Sequence, residues 1–147
     1  MAPITASIEI ARRPDDVFAY LDDLGRHGEW QAQIVSAQKH GDGPTQVGTK
    51  STEMRRMGRR KQSITYEVTE HDPPRTFGFH GVDGPIRVVG RVTIDPIGDG
   101  SSSRLSLVLD FEGHGFGKAL VPLARSQTRK QVPKDQQRLK ERLESPS

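Results

Sequence analysis

Apolar and polar residues alternate at the start of the chain, with Ile4, Ala6, Ile8 and Ile10 set against Thr5, Ser7 and Glu9. A period of two predicts a strand over Ile4–Ala11 with one buried face. The spacing then changes. Pro14 opens a helix with Asp15 and Asp16 in its first turn, where the helix dipole favours acids. Val17, Phe18, Leu21 and Leu24 form its apolar stripe, and Gly25 ends it. Arg26–Gln31 is short and mixed, and reads as a loop or a second short helix. Strand-like runs follow at Ile34–Lys39, Val47–Met57, Arg60–Glu70, Arg75–His80, Ile86–Ile97 and Ser103–Glu112. Clusters of Gly, Pro and Asp separate them, as short turns require. Helical spacing returns over Lys118–Glu144, where Leu120, Leu123, Ala124, Gln127, Gln131, Leu139 and Leu143 fall near one face. Pro122 fits the first turn, and Pro133 inside the helix is expected to kink it. Residues 145–147 read as a frayed tail.

Short turns between successive strands imply an antiparallel sheet, here of seven strands. One long helix cannot bury its stripe alone, and neither can one face of such a sheet. The expected class is α+β: a single domain over residues 1–144, its curved sheet wrapped around the C-terminal helix, with two short helices after the first strand. A curved sheet gripping a helix leaves a space between them, and that space is a natural ligand cavity.

Strand parity predicts what lines it. Taking Gly58-Arg59 as a two-residue hairpin turn sets Arg55 opposite Gln62, Glu53 opposite Ile64, Ser51 opposite Tyr66 and Thr49 opposite Val68. Directly opposed residues share a face. Ile64, Tyr66 and Val68 read as inward because polar residues separate them. Thr49, Ser51, Glu53, Arg55 and Gln62 then face inward too, whereas a three-residue turn would reverse the assignment. Phe77, Phe79, Ile86, Val88, Val92, Ile94, Leu105, Leu107, Leu109 and Phe111 read as inward on their own strands. Gln127 and Gln131 are unlike core residues, since an unpaired buried amide costs about 1–3 kcal/mol. A wet or ligand-filled cavity tolerates them.

Glu53 is the leading chemical candidate. In an apolar cavity its pKa is expected to rise, which suits general acid or base work on an enolisable carbonyl. Arg55 would hold it ionised or bind a substrate oxyanion. A solvated pair at an open rim is the plainer alternative. Tyr66 would donate to a ligand oxygen, or it is a core tyrosine with a satisfied hydroxyl. His27, His40, His71, His80 and His114 are scattered without metal-site spacing, so no metal is expected.

Composition narrows the classes. The chain has 147 residues, no cysteine and 32% hydrophobic residues. The missing cysteine excludes disulfides and thiolate chemistry and suits a cytoplasmic setting. No apolar run is long enough to span a membrane, and Arg12-Arg13 precedes Pro14 and acids rather than the apolar stretch of a secretion signal. Net charge is only +3, but Arg55-Arg56-Met57-Gly58-Arg59-Arg60-Lys61 and the C-terminal helix concentrate basic residues. That surface would suit an acyl carrier protein or a membrane, or it is simply solvated. Nucleic acid fits least, because no aromatics interleave for base stacking. Oligomeric state, monomer or homodimer, stays open. No nucleotide-binding or serine-hydrolase motif occurs, and no cofactor is expected.

The matching residues are Ile8-Glu-Ile10, Arg13-Pro-Asp-Asp-Val-Phe18, Trp30, Val47-Gly-Thr49, Tyr66-Glu-Val-Thr-Glu70, Asp72-Pro-Pro-Arg75, Arg138-Leu-Lys140 and Leu143-Glu144. With this order of elements the chain resembles the START/Bet v 1-like (SRPBCC) superfamily, and within it the polyketide cyclase/dehydrase group. The resemblance implies a helix-grip fold and a hydrophobic small-molecule ligand. It also implies an entrance aromatic at Trp30, which packing of the short helix explains equally well. Two functions follow. One is a cofactor-independent cyclase or dehydratase of secondary metabolism, with Glu53 as acid/base and Arg55 and Tyr66 as oxygen binders. The other is a non-catalytic carrier or sensor of a lipid, steroid or similar ligand. Fold alone does not choose between them.

Overall fold

The computed structural model describes residues 2–145, and of Met57 the backbone only. The opening alternation forms β1 (Ile4–Ile10), with both terminal isoleucines buried. Pro14 starts α1 (Pro14–Asp22), which buries Val17, Phe18 and Leu21. This helix stops three residues before the expected Gly25. Asp23 leaves helical geometry, and Leu24 opens a separate 3-10 helix, Leu24–Glu29. Leu24 is still buried, so the stripe continues across the break.

Six strands follow: β2 (Ile34–Lys39), β3 (Lys50–Met57), β4 (Arg60–Asp72), β5 (Thr76–Gly81), β6 (Ile86–Ile97) and β7 (Ser102–Gly113). β3 begins later than the apolar pattern suggests, because Gly48 takes φ +95 and Val47 turns outward. All pairings are antiparallel, in the order β1-β7-β6-β5-β4-β3-β2. β2 to β7 form a meander, and β1 joins its far edge beside β7. The segment from α1 through the 3-10 helix therefore crosses from one sheet edge to the other and closes one end.

Gly58-Arg59 is a two-residue turn, with Gly58 at φ +65. Glu53 pairs with Ile64, Ser51 with Tyr66 and Arg55 with Gln62. In β4 the register against β5 shifts between Val68 and Glu70. The bulge carries the strand on to Asp72 and sets His71 opposite Phe77. The His71 ring packs edge-on against Phe18, and its Nε2 donates to Asp22 Oδ1 at 2.8 Å, tying α1 to the sheet.

A second 3-10 helix, Gly115–Ala119, precedes α2 (Val121–Glu144), so the long helix starts later than the expected Lys118. The helix runs unbroken through Pro133. Its buried face is rotated from the expected one: Leu120 and Leu123 are exposed, and the stripe runs through Ala124, Arg125, Val132, Asp135, Gln136, Leu139 and Leu143. The buried Arg125 guanidinium pairs with Asp110 on β7 and donates to the Ala2 carbonyl, which draws that face inward. Toward its C-terminus α2 covers the free edge of β1. Gln136 Nε2 donates to the Ala6 carbonyl at 3.3 Å, and Lys140 Nζ to that of Glu9 at 2.9 Å. Glu144 accepts the Ala11 N–H at 2.7 Å. Carbonyls that an edge strand would leave open are thus spent within the chain. Ser145 caps the helix through its bond to Glu141, and the rest of the expected tail, Pro146 and Ser147, lies outside the described residues. No helix among the described residues is long and apolar enough to cross a membrane.

Apolar packing gathers at the end closed by α1, where Ile10, Val17, Phe18, Leu24, Val68, Phe77, Ile94, Leu105, Leu139 and Leu143 form one cluster. A smaller cluster of Ile4, Leu109 and Val132 packs α2 against β1 and β7.

Candidate functional site

The space between sheet and helix is a cavity of about 230 Å³. The inward faces of β4 to β7 supply its apolar wall, including Ile64, Phe77, Phe79, Ile86, Val88, Val92, Leu105, Leu107, Leu109 and Phe111. Phe79 shapes this wall through Gly90, its partner on β6. The Phe79 ring lies where a Cβ on residue 90 would sit, with Cε2 only 2.9 Å from that position. Glycine lets the ring lie flat on the sheet instead of standing into the space.

Polar groups collect on the β3 side. Glu53 is 5% exposed, and Arg55 Nη1 donates to its Oε2 at 2.8 Å. The same Nη1 donates to Gln31 Oε1 at 3.0 Å, and Arg55 Nη2 approaches Gln33 Oε1 at 3.5 Å. These two glutamines lie on the connection between the first 3-10 helix and β2. The neighbouring Ala32 N–H donates to Asp135 Oδ1 on α2 at 3.3 Å, and Gln131 Nε2 donates to the same oxygen at 2.9 Å. A continuous polar chain therefore spans from β3 across the connection to α2.

The Glu53 carboxyl departs from expectation. Burial raises its pKa, but the neighbouring His27 imidazole and Arg55 guanidinium outweigh burial and hold it below the usual carboxylate range. Glu53 is therefore a carboxylate at neutral pH, and the neighbours that keep it ionised also make it a weaker base than a free glutamate. Tyr66 lies across the strand pair from Ser51, and burial together with the Glu53 charge pushes its phenol well above the ordinary range. It stays a neutral donor at any physiological pH.

Among the described residues, Tyr66 Oη and Trp30 Nε1 are buried without a hydrogen-bond partner. Both side chains line the cavity. Two unspent polar groups in one apolar wall are costly unless a bound molecule meets them. Gln62, Gln127 and Gln131 also line the space, Gln127 at an exposed position.

Ser51 and Thr49 are read as inward from the sequence yet do not reach the cavity. Ser51 is fully buried, and its hydroxyl turns along the sheet to donate to the Gln38 carbonyl at 3.2 Å. Its side chain is too short to reach past that neighbour. Thr49 lies before β3 and accepts the Gln46 N–H at 3.0 Å. The basic surface also loses members, since Arg55 lines the cavity and Arg125 is buried, while Arg56 and Arg59 to Lys61 are exposed. His80 and His114 sit outside the cavity beside Glu112.

Sequence reasoning missed His27 and Asp135. His27 sits in a segment with no readable period. Asp135 continues the expected face, four residues from both Gln131 and Leu139, but a carboxylate gives no apolar signal there. Both line the cavity. Among the described residues no three His, Asp or Glu side chains converge as a metal site would need.

Among known families, one described as polyketide cyclase/dehydrase and lipid transport matches residues 1–144. No curated protein sequence matches. Among solved structures, a protein of Thermus thermophilus superposes with a TM-score of 0.78 at 21% identity, covering 96% of both chains. The ZhuI aromatase/cyclase of Streptomyces sp. R1128 gives 0.77 at 14% identity, covering 97% of this chain and 93% of its own. A START superfamily protein of Mycobacterium smegmatis gives 0.76 at 16% identity, covering 97% and 99%. At these identities the likeness establishes the fold, a START-like helix-grip architecture.

Proposed function

The chain belongs to the polyketide cyclase/dehydrase and lipid transport family, and from that premise we propose that it binds a largely apolar, polyketide-like molecule and catalyses its cyclisation and dehydration by acid/base chemistry. The observation that carries this reading is the buried, ionised Glu53 at the edge of an apolar cavity whose wall holds an unspent phenol, Tyr66, and an unspent indole N–H, Trp30. A carrier needs no such group. Glu53 would take a proton from a carbon next to a carbonyl. Tyr66, Trp30 and Arg55 would receive the negative charge that then develops on oxygen, in a site that excludes water. The apolar wall would fold the substrate so that its reacting carbons meet. Substrate delivered by an acyl carrier protein fits the exposed basic tip of the β3–β4 hairpin, and a cytoplasmic setting fits the cysteine-free composition.

The test uses 1-phenylhexane-1,5-dione, which closes to 3-phenylcyclohex-2-enone with loss of water. Its binding is read separately by displacement of a fluorescent apolar dye. Glu53→Gln is expected to lower turnover by about 10²–10⁴-fold, the usual worth of a general base, while dye displacement is retained. Binding with no turnover in the unaltered protein would favour the carrier reading. Turnover unchanged in Glu53→Gln would remove Glu53 from the chemistry.

A further inference from the structure

The cavity wall holds few charges, and they are unevenly matched. Among the described residues its charged side chains are Glu53 and Arg55 from β3 and Asp135 from α2, with the titratable His27 and Tyr66 beside Glu53. Arg55 is bound to Glu53, Gln31 and Gln33. His27 Nε2 lies 2.7 Å from the Leu21 carbonyl oxygen, and its other ring nitrogen lies 3.8 Å from Glu53 Oε1. Both basic side chains therefore face Glu53. Asp135 has no such neighbour. It is 7% exposed, and its Oδ1 accepts the Ala32 N–H at 3.3 Å and the Gln131 amide at 2.9 Å, both neutral donors.

The donors left over are neutral as well. Tyr66 Oη and Trp30 Nε1 line the cavity and have no hydrogen-bond partner among the described residues. Ser51, across the strand pair from Tyr66, gives its hydroxyl to the Gln38 carbonyl instead. Trp30 packs edge-on against His27, with ring centroids 5.5 Å apart, so both donors stand on the Glu53 side of the space. An indole N–H only donates. What this wall lacks is an acceptor oxygen, and the oxygen has to arrive without a charge. A carboxylate would be one more buried anion beside Glu53 and Asp135, with the basic side chains of the wall already turned to Glu53. A ketone oxygen meets the same donors and adds no charge.

We propose that the cavity selects neutral carbonyl compounds, bound through the carbonyl oxygen by Tyr66 and Trp30, and that Glu53 and Asp135 exclude free carboxylic acids of the same shape. This rests on the ligand-binding half of the reading above and narrows its ligand class. The acid/base chemistry obeys the same rule. When Glu53 takes a proton from the carbon next to the carbonyl, the enolate charge appears as the carboxylate charge disappears, so the total in the cavity is unchanged. A substrate entering as an anion would keep its extra charge throughout. The exposed Arg56, Arg59, Arg60 and Lys61 draw anions to the outer surface and leave the choice inside unaltered.

The test uses three naphthalenes of nearly one shape: 2-acetylnaphthalene, its hydrocarbon counterpart 2-isopropenylnaphthalene, and 2-naphthoate. Displacement of an apolar dye from the cavity reads the affinity of each. Tyr66→Phe and Trp30→Phe are each expected to weaken the ketone about tenfold and to leave the hydrocarbon unchanged. Asp135→Asn and Glu53→Gln are each expected to tighten naphthoate at least about tenfold, with the hydrocarbon again unchanged. Ketone and hydrocarbon responding alike to loss of the donors would overturn the proposal, and so would naphthoate indifferent to loss of the carboxylates. The unaltered protein gives a check that needs no variant. The infrared carbonyl band of bound ¹³C-labelled ketone should lie below its position in hexane, and a band at the hexane position would overturn the carbonyl contact. Turnover of the diketone is scored apart. Its absence, with the affinity pattern intact, removes the acid/base reading and leaves the selection standing.

Discussion

Tyr66 and Glu53 face the same cavity from adjacent strands, yet the protein treats their polar atoms in opposite ways. Glu53 is buried with Arg55 bonded to one carboxylate oxygen at 2.8 Å, while His27 Nδ1 lies 3.8 Å from the other. Tyr66 is equally buried, and its hydroxyl has no hydrogen-bond partner among the described residues. A satisfied buried ion pair and an unsatisfied buried phenol have different consequences on truncation. Tyr66→Phe removes an orphaned hydroxyl from the empty protein, and it should raise the stability of that state by up to about 1–3 kcal/mol. The same change should slow cyclisation of the diketone probe, because the oxygen that develops charge loses a donor. Urea denaturation of the ligand-free proteins, alongside turnover, checks both signs. A destabilised Tyr66→Phe would mean that the hydroxyl is already satisfied and not waiting for a ligand. His27 argues the same point from its ring: its orientation is set by one carbonyl, that of Leu21.

Among the elements, the β3–β4 hairpin is the most legible from sequence. A two-residue turn with glycine in first position fixes register, and a period of two carries that register along both strands to Glu53. The inward faces of β6 and β7 are legible for the same reason. The α2 face is not: its leucines at 120 and 123 suggest one stripe, while the buried Arg125–Asp110 pair selects another. An ion pair across 15 positions leaves no trace in hydrophobic period. His71 is hidden by the bulge in β4, which reverses parity after Val68. The role of Gly90 is also silent in sequence, because it depends on a ring from the neighbouring strand. That role makes a prediction at this scale. Gly90→Ala forces the Phe79 ring off the sheet, at a cost of about 1–3 kcal/mol from overpacking. The displaced ring has the cavity to move into, so uptake of an apolar dye should fall. Adding Phe79→Ala to Gly90→Ala should restore uptake. Failure of the second change to restore it would show that the ring does not set the cavity's size.

For the molecule as a whole, the apolar cluster under α1 runs into the cavity under α2, with Phe77, Leu105 and Leu139 belonging to both. The helix is held to the sheet partly by carboxylates at separate points. Asp110 pairs with Arg125 and accepts the Phe111 N–H, while Glu144 pairs with Lys140 and accepts the Ala11 N–H. Their pKa values lie below the ordinary carboxylate range. For Asp110, burial raises the value, and the Phe111 N–H and Arg125 lower it further than burial lifts it. For Glu144, the bonds from Lys140 and from Ala11 lower it. A depressed folded pKa means that the unfolded chain binds protons first as pH falls. The stabilisation is therefore present above the unfolded value of about 4, and is lost as pH drops through the lower folded values. Both groups are partly solvated, so their separate contributions are modest, but they act on one seam. Acidification from neutral pH should lower the urea midpoint most steeply just below about pH 4. The double variant Asp110→Asn, Glu144→Gln should start lower at neutral pH and show a flatter acid limb. Because these carboxylates hold the helix rather than touch the cavity floor, dye uptake at neutral pH should change little. An acid limb as steep as that of the unaltered protein would place the acid sensitivity elsewhere, and Glu53, buried and ionised between Arg55 and His27, would be the next carboxylate to replace.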